Sequence, residues 1–514
     1  MEFARRTITK YGIALLAIVF LGLVLRVYHL AAQSLSGDEA FSFWISTLRL
    51  SETVHYAVTI DVHPPLYYFI LHYWMLLFGT SAFAMRLLSA LFGVLAIPMI
   101  YLVGRQLFNK EAGLVGALIL AISPLNVIYS QDARMYSLMV LLGLLSTYFF
   151  LRFLQKSNGL VAAAYILSTT LLLYTHVYGW FVVITQNIWV VALVLSRNRA
   201  LRPKSWVTLQ VIIVLLFAPW ILELISQISK VEKAPWIPLP TLTTLTRTFT
   251  AYSGTELLLI LFFGLCLLSL FTYRKKNASV DWKAPLKALK SYSWAVRTSN
   301  VRSVLFLVLL IFTLNAVPFV ISRFYASIYD ARYTIAASVA LYLLVAAGIR
   351  NISHNYAKFA VIAVIVLLSA FPLQAYYTTT APQARETINF VDQNLKSGDL
   401  VLLSPGDHWP VFRYYNYKTM NLTLLGNTVS STADRMKILY SAINGHNRVW
   451  LVVANVSYSP TAQILNALNG SYEITLFKSY AGYQVYLFEN RSVNSSPTVA
   501  NESRSGFADQ PATR

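Results

Sequence analysis

Apolar runs of roughly 17 to 23 residues recur through the first 380 positions, and a membrane-crossing helix needs about 20 such residues. They fall at 11–31, 86–107, 112–129, 137–154, 160–175, 177–195, 206–225, 255–273, 303–322, 333–349 and 358–376, which predicts about eleven spans. A twelfth run, 66–78, is apolar almost all round yet only 13 residues long. As a helix it would reach about 20 Å against a hydrocarbon core of about 30 Å, so it is expected to lie at the interface. The first run is too long for a signal-peptide core and no small-residue cleavage site follows it, so it is expected to stay as the first span.

Beyond residue 379 the pattern changes. A helix-like stretch at 382–396 is followed by strand-like runs at 399–404, 420–425, 448–455, 472–478 and 482–489, with helical segments between them. This alternation predicts a small α/β domain over 380–490. Residues 491–514 are polar with almost no apolar content and are expected to be disordered. The fold class is therefore a multi-span α-helical membrane protein, residues 1–379, followed by a small α/β domain.

Composition agrees with a membrane solvent: 57% of the 514 residues are apolar and 12% charged, against about 25% charged in soluble domains. A net charge of +20 would suggest nucleic acid in a soluble chain, but here the cations sort by loop. With a cytoplasmic amino terminus, twenty-one cations fall inside, among them Arg5, Arg6, Lys10, Arg105, Lys110, Arg350 and Lys358. The outer connections and outer ends of spans hold nine: Arg26, Arg49, Arg86, Arg134, Lys230, Lys233, Arg247, Arg323 and Arg332. The positive-inside rule then orients the chain in a plasma (inner) membrane, with the carboxyl-terminal domain extracytoplasmic. Were 66–78 a span, every later basic loop would face outward. The loop 274–302, with eight cations, Trp282, Tyr292 and Trp294, reads as an interfacial helix on anionic membrane lipid. Cys266 stands alone, so no disulfide framework exists.

The candidate chemistry gathers in an outer acidic loop, residues 32–84, and in three later outer turns. Charge is costly in lipid, so such a cluster marks a wet functional surface. Asp38 and Glu39 point about 100° apart on a helix, so one can act as a base while the other supports it. The same Ser-Gly-Asp-Glu stretch can also simply cap a helix. His63-Pro64-Pro65 opens the short apolar helix, whose unpaired amides would favour an anion such as phosphate beside His63; a rigid entry with a solvated histidine is the plainer alternative. If residues 130–136 (SQDARMY) are helical, Asp132 and Tyr136 share a face at i, i+4. Asp132 can then align a hydroxyl or a cation and Arg134 can hold phosphate, although a local Asp132–Arg134 pair would also satisfy both. His176, beside Tyr178, and the pair Arg332-Tyr333, after Asp330, complete the outer set, where aromatic belt positions are common. No spacing such as His-x-x-x-His suggests a metal site; a divalent cation is left open only if Asp38 and Asp132 converge.

Several segments together resemble the C-type (GT-C) glycosyltransferase superfamily, near the protein O-mannosyltransferases and the lipid A aminoarabinose transferases. They are SGDEAFSFW, DVHPPLYYFILHYWMLLFG, AMRLLSALFG and SPLNVIYSQDARMYSL in the first 200 residues, with YDARYTIAASVALYLL later. His63 stands near the Pro-Pro pair where family members place lysine or glycine. The resemblance implies a sugar taken from a polyprenyl-phosphate donor and attached, with inversion, to an extracytoplasmic lipid, glycan or protein acceptor. It implies Asp38 as base, Glu39 as its support or an acceptor-positioning group, Asp132 as the second acid, and His63, Arg134, Tyr136, His176, Arg332 and Tyr333 as substrate-binding residues. The competing reading is a polyprenyl-phosphate or lipid transporter gated by the acidic loop. Ionisable residues avoid mid-span positions, with Glu223 the nearest exception, which disfavours it.

Overall fold

The computed structural model describes all residues except Met1, 197–202, 234–236, 276–291, 297, 380–381, 416–419, 427–429, 455–460 and 492–514. The centre of the basic loop and the tail expected to be disordered thus lie outside the described residues. The chain divides into two compact units, Met1–Ala381 and Pro382–Arg514.

The first unit is helical. In chain order its helices are α1 (Glu2–Val27), α2 (Gly37–Ser46), α3 (Leu50–Thr59), α4 (Leu66–Phe78), α5 (Ala82–Leu107), α6 (Lys110–Ile122), α7 (Pro124–Ile128) and α8 (Tyr136–Gln155). They continue as α9 (Gly159–Thr175), α10 (Gly179–Leu195), α11 (Pro203–Lys233), α12 (Leu242–Ser253), α13 (Glu256–Leu270), α14 (Thr298–Phe324), α15 (Ala336–Asn351) and α16 (Asn355–Thr378). Among the described residues six are long and apolar enough to cross a membrane, α1, α5, α8, α11, α14 and α16, or seven if α12 and α13 form one span bent by 85°. Helices stand at each of the eleven expected runs, several of them shorter than expected. α9 and α10 have 17 residues and α15 has 16, at the lower limit for spanning. The run 112–129 is split at Ser123-Pro124: proline ends the α6 ladder, and Ser123 caps α7 by accepting from the Asn126 amide.

The burial pattern separates core helices from lipid-facing ones. Every residue of α15 from Ala336 to Ile349 is buried, the packing that an all-round apolar helix requires. α1 and α16 instead expose Leu16, Phe20, Phe359, Leu367 and Phe371, as surfaces meeting lipid do. α5 and α6 approach so closely that a Cβ on Gly104 would stand 2.9 Å from the Gly113 Cα. Gly254, with φ of 97°, makes the α12–α13 bend, where a side chain would be strained and would press on Pro124 at 3.2 Å.

The short helix at 66–78 forms where the apolar run stands. The basic segment differs from the expected interfacial helix: its described parts, β1 (Phe271–Lys275) and β2 (Tyr292–Val296), pair as antiparallel strands. Aromatic and β-branched residues in both stretches suit a strand better than a helix.

The second unit is an α/β fold. Strands β3 (Leu400–Ser404), β4 (Leu422–Leu424), β5 (Arg448–Ala454), β6 (Tyr472–Tyr480) and β7 (Tyr483–Asn490) lie in the order β4-β3-β5-β7-β6. β3 runs parallel to β4 and β5, while β7 runs antiparallel to β5 and β6. β3 is buried throughout, which fits its continuous LVLLS run. Asp399 ties β3 to β5 by accepting from Arg448 Nε at 3.0 Å and Trp450 Nε1 at 2.9 Å.

Candidate active site

The site is built at the end of the first unit where α1 finishes and α8 begins. Ser36 caps α2 in a box with Glu39: the Glu39 amide donates to Ser36 Oγ at 3.2 Å and the Ser36 amide donates to Glu39 Oε2 at 2.9 Å. Glu39 is simultaneously gripped by Arg86 of α5, with Nε to Oε1 at 2.6 Å and Nη2 to Oε2 at 2.7 Å. Both side chains are buried. Arg86 spends its remaining donors on the carbonyls of Leu30, Gln33 and Ser34, and the Ala133 amide donates to Glu39 Oε1 at 3.1 Å. Glu39 therefore has no lone pair facing a substrate. The geometry corrects its acceptor-positioning role to that of a clamp joining α2, α5 and the 129–135 loop.

That loop is pinned from several sides. Arg26, fully buried near the end of α1, donates to Ser130 Oγ, Gly22 O, Ala121 O and Leu120 O at 3.0–3.1 Å. Gln131 donates to the Arg26 carbonyl of α1 and to the Tyr28 carbonyl just beyond it, and Ser89 Oγ donates to the Arg134 carbonyl at 3.1 Å. Residues 131–135 are consequently a bend and α8 starts only at Tyr136, so Asp132 and Tyr136 do not share a helical face as expected. The local Asp132–Arg134 side-chain pair is likewise not among the ion pairs of the described residues; the Arg134 amide donates to the Asp132 carbonyl instead.

This scaffold brings the expected site residues together. Asp38 Oδ2 accepts from Arg332 Nη1 at 2.7 Å across 294 residues of sequence, and Arg332 also faces Asp330 at 3.3 Å. Arg134 Nη1 donates to Tyr68 Oη at 3.1 Å, to Ser42 Oγ at 3.2 Å and to the Asp38 carbonyl at 3.4 Å. Tyr68 in turn donates to Asp61. The rings of His63 and His176 stand 4.6 Å apart, each beside Tyr333, and Tyr136 stacks on Tyr333 at 6.3 Å. Five buried polar atoms here have no protein partner: His63 Nδ1, Asp132 Oδ1, Arg134 Nε, Tyr136 Oη and His176 Nε2. Each such atom costs about 1–3 kcal/mol, a concentration that a polar ligand would relieve.

Electrostatics divide the two candidate acids. Loss of water would raise the Asp38 pKa, but the charges of Arg134 and then Arg332 outweigh this and hold the carboxyl below the usual range, on a side chain still 47% exposed. Asp132 goes the other way. Burial, then the charges of Glu39 and Asp38, push it well above the usual range, so it holds its proton more tightly than Asp38 does. Burial, followed by the Arg134 charge, drives His63 well below its ordinary value; burial, then His63 and Arg134, does the same to His176.

Beside the polar cluster lies an apolar cavity of about 420 Å³, lined among others by His63, Tyr178, Phe181, Leu224, Ile321 and Ala326. His63 and Tyr333 belong to both. Asp38 is paired with Arg332, and no three His, Cys, Asp or Glu side chains that could hold a metal ion gather among the described residues.

Sequence reasoning left out Arg86, Asp61 and Tyr68 as working parts. Arg86 counts as one outer cation among nine in the sequence, and only its place in the AMRLLSALFG segment distinguishes it.

Residues 62–222 match the family model of the dolichyl-phosphate-mannose-protein mannosyltransferases. The structure is similar to that of ArnT from Cupriavidus metallidurans bound to undecaprenyl phosphate, with a TM-score of 0.58 at 13% identity, covering 94% of this chain and 98% of that one. The apo form of the same protein gives 0.60 at 13% identity, covering 96% and 100%. Archaeal oligosaccharyltransferase AglB from Archaeoglobus fulgidus, in complex with an inhibitory peptide and a dolichol-phosphate, gives 0.56 at 12% identity, covering 94% and 74%. No curated protein sequence matches the chain. The chain has the fold of the C-type glycosyltransferases, the superfamily that its motifs resemble.

Proposed function

We propose that this membrane protein is an inverting glycosyltransferase that moves a sugar from a polyprenyl-phosphate donor to an extracytoplasmic acceptor. The observation that carries the reading is a carboxylate, Asp38, set with Arg332, Arg134 and His63 beside an apolar cavity that His63 and Tyr333 also line. Arg134, Arg332 and His63 hold the donor phosphate, with Tyr136, His176 and Tyr333 lining its approach, and the isoprenoid tail enters the cavity. The acceptor oxygen attacks the anomeric carbon from the face opposite the phosphate and gives its proton to Asp38. The anomeric C–O bond breaks with its electron pair going to the polyprenyl phosphate. That leaving group is already an anion among cations, so it needs no protonation at the scissile oxygen. Asp132, neutral, donates a hydrogen bond to the donor. The sorting of basic loops supports a cytoplasmic amino terminus and an extracytoplasmic site.

Asp38→Asn tests the reading. Purified chain in lipid nanodiscs should bind undecaprenyl phosphate about as well as wild type while losing at least a hundredfold in release of that lipid from pentosyl or hexosyl phospholipid donors. Retained transfer by the variant would remove the base. Binding without transfer by the wild type, across a panel of donors and acceptors, would favour the transporter.

A further inference from the structure

Arg134 is buried in the site, yet among the described residues no carboxylate pairs with it directly. Its Nη1 instead meets three neutral oxygens, and its Nε has no protein partner. Besides the nearby charge of Asp38, a hydrogen-bonded route to a second carboxylate runs through one hydroxyl: Arg134 Nη1 donates to Tyr68 Oη, and Tyr68 Oη donates to Asp61 Oδ2. The guanidinium also stands 6.0 Å from the centre of the Tyr68 ring. Asp61 and Tyr68 face each other across the Val62–Tyr67 turn and the start of α4, and Tyr68 is fully buried.

We propose that Tyr68 and Asp61 are positioning residues that supply Arg134 with a counter-charge one hydroxyl away, keeping its Nε edge open for the phosphate of a polyprenyl-phosphate ligand. This rests on the transferase reading of the site. The spacing has a physical consequence. A carboxylate touching a guanidinium forms a two-pronged pair that occupies the same edges a phosphate would use. Interposing a phenol, whose oxygen accepts from the arginine and whose proton goes to the carboxylate, stabilises the buried cation without occupying it. Burial holds the Asp61 carboxyl above its ordinary range, and the Arg134 charge and the Tyr68 hydrogen bond offset part of that rise. Loss of the hydroxyl leaves Arg134 and Asp61 each short of a partner and free to collapse onto one another.

The test is binding of undecaprenyl phosphate to the full chain in detergent micelles, with turnover measured alongside. Tyr68→Phe should raise the Kd and the donor KM at least tenfold while changing kcat at saturating donor by no more than a few-fold. Adding Asp61→Asn removes the carboxylate that captures Arg134, so Tyr68→Phe/Asp61→Asn should regain most of the lost affinity. A side chain needed only for folding would give a double variant worse than the single one. Tyr68→Phe binding like wild type, or a double variant no better than Tyr68→Phe, overturns the relay. A wild-type chain that binds no undecaprenyl phosphate overturns the transferase reading and the relay with it.

Discussion

Replacing Glu39 by glutamine keeps the shape of the clamp and removes its charge. In the native chain Glu39 accepts from Arg86 Nε and Nη2 at 2.6 and 2.7 Å and from the amides of Ser36 and Ala133. The variant's amide nitrogen can only donate, so one guanidinium bond and the Ser36 bond lose their acceptor. Arg86 keeps the carbonyls of Leu30, Gln33 and Ser34 but has no anion. Hydrogen bonds to charged groups are worth about 1.5–3 kcal/mol each, and breaking a buried ion pair costs about 3–5 kcal/mol. Glu39→Gln should therefore cost about 3–4 kcal/mol, read by titrating the chain with SDS in mixed micelles and following tryptophan fluorescence. Arg86→Gln should cost a similar amount. The double variant, with two amides able to face each other, should cost less than the sum by at least about 2 kcal/mol, since contacting pairs couple strongly. A single-variant cost under about 1 kcal/mol, or additive costs, would refute the clamp.

Asp132→Asn should stabilise the protein and impair it at once. The folded chain binds a proton at Asp132 that the unfolded chain has released above its ordinary pKa of about 3.9, so wild-type stability falls as pH climbs from there toward the raised value. Asparagine removes that slope: thermal unfolding near about pH 3.5 should be nearly the same for both chains, and at pH 8 the variant should melt higher. A variant that melts lower at pH 8 would contradict a neutral Asp132. Ala326→Trp fills part of the apolar cavity; the KM for undecaprenyl-linked donor should rise at least tenfold while that for a short-chain prenyl analogue stays within a few-fold. An equal effect on both would separate the cavity from the isoprenoid tail.

Local pattern was legible where one short stretch decides the structure. The 13 apolar residues after Pro65 become a helix over Leu66–Phe78, and the strand-like runs of the second unit become β3 to β7. The candidate site residues stood out in the sequence as polar positions at the ends of apolar runs, because charge in lipid demands a reason. Pairing was not legible. Whether Glu39 faces substrate or Arg86 depends on a contact across 47 residues, and the Asp38–Arg332 pair spans 294; neither spacing has a period that a sequence can carry. The interposed Tyr68 escaped for the same reason, since a tyrosine near a membrane boundary is ordinarily a belt residue. Helix breaks inside apolar runs were not legible either, as at Ser123-Pro124.

Arg26 has a bearing on how the protein is made. Of its four acceptors only Gly22 belongs to its own helix; the others, at Leu120, Ala121 and Ser130, arrive some 94 to 104 residues later in synthesis. An arginine without such carbonyls is poorly tolerated inside lipid and reaches for the headgroups. The nascent first helix must therefore ride toward the interface when it leaves the insertion machinery, and sink to its final depth only after α6 and the turn beyond it have emerged.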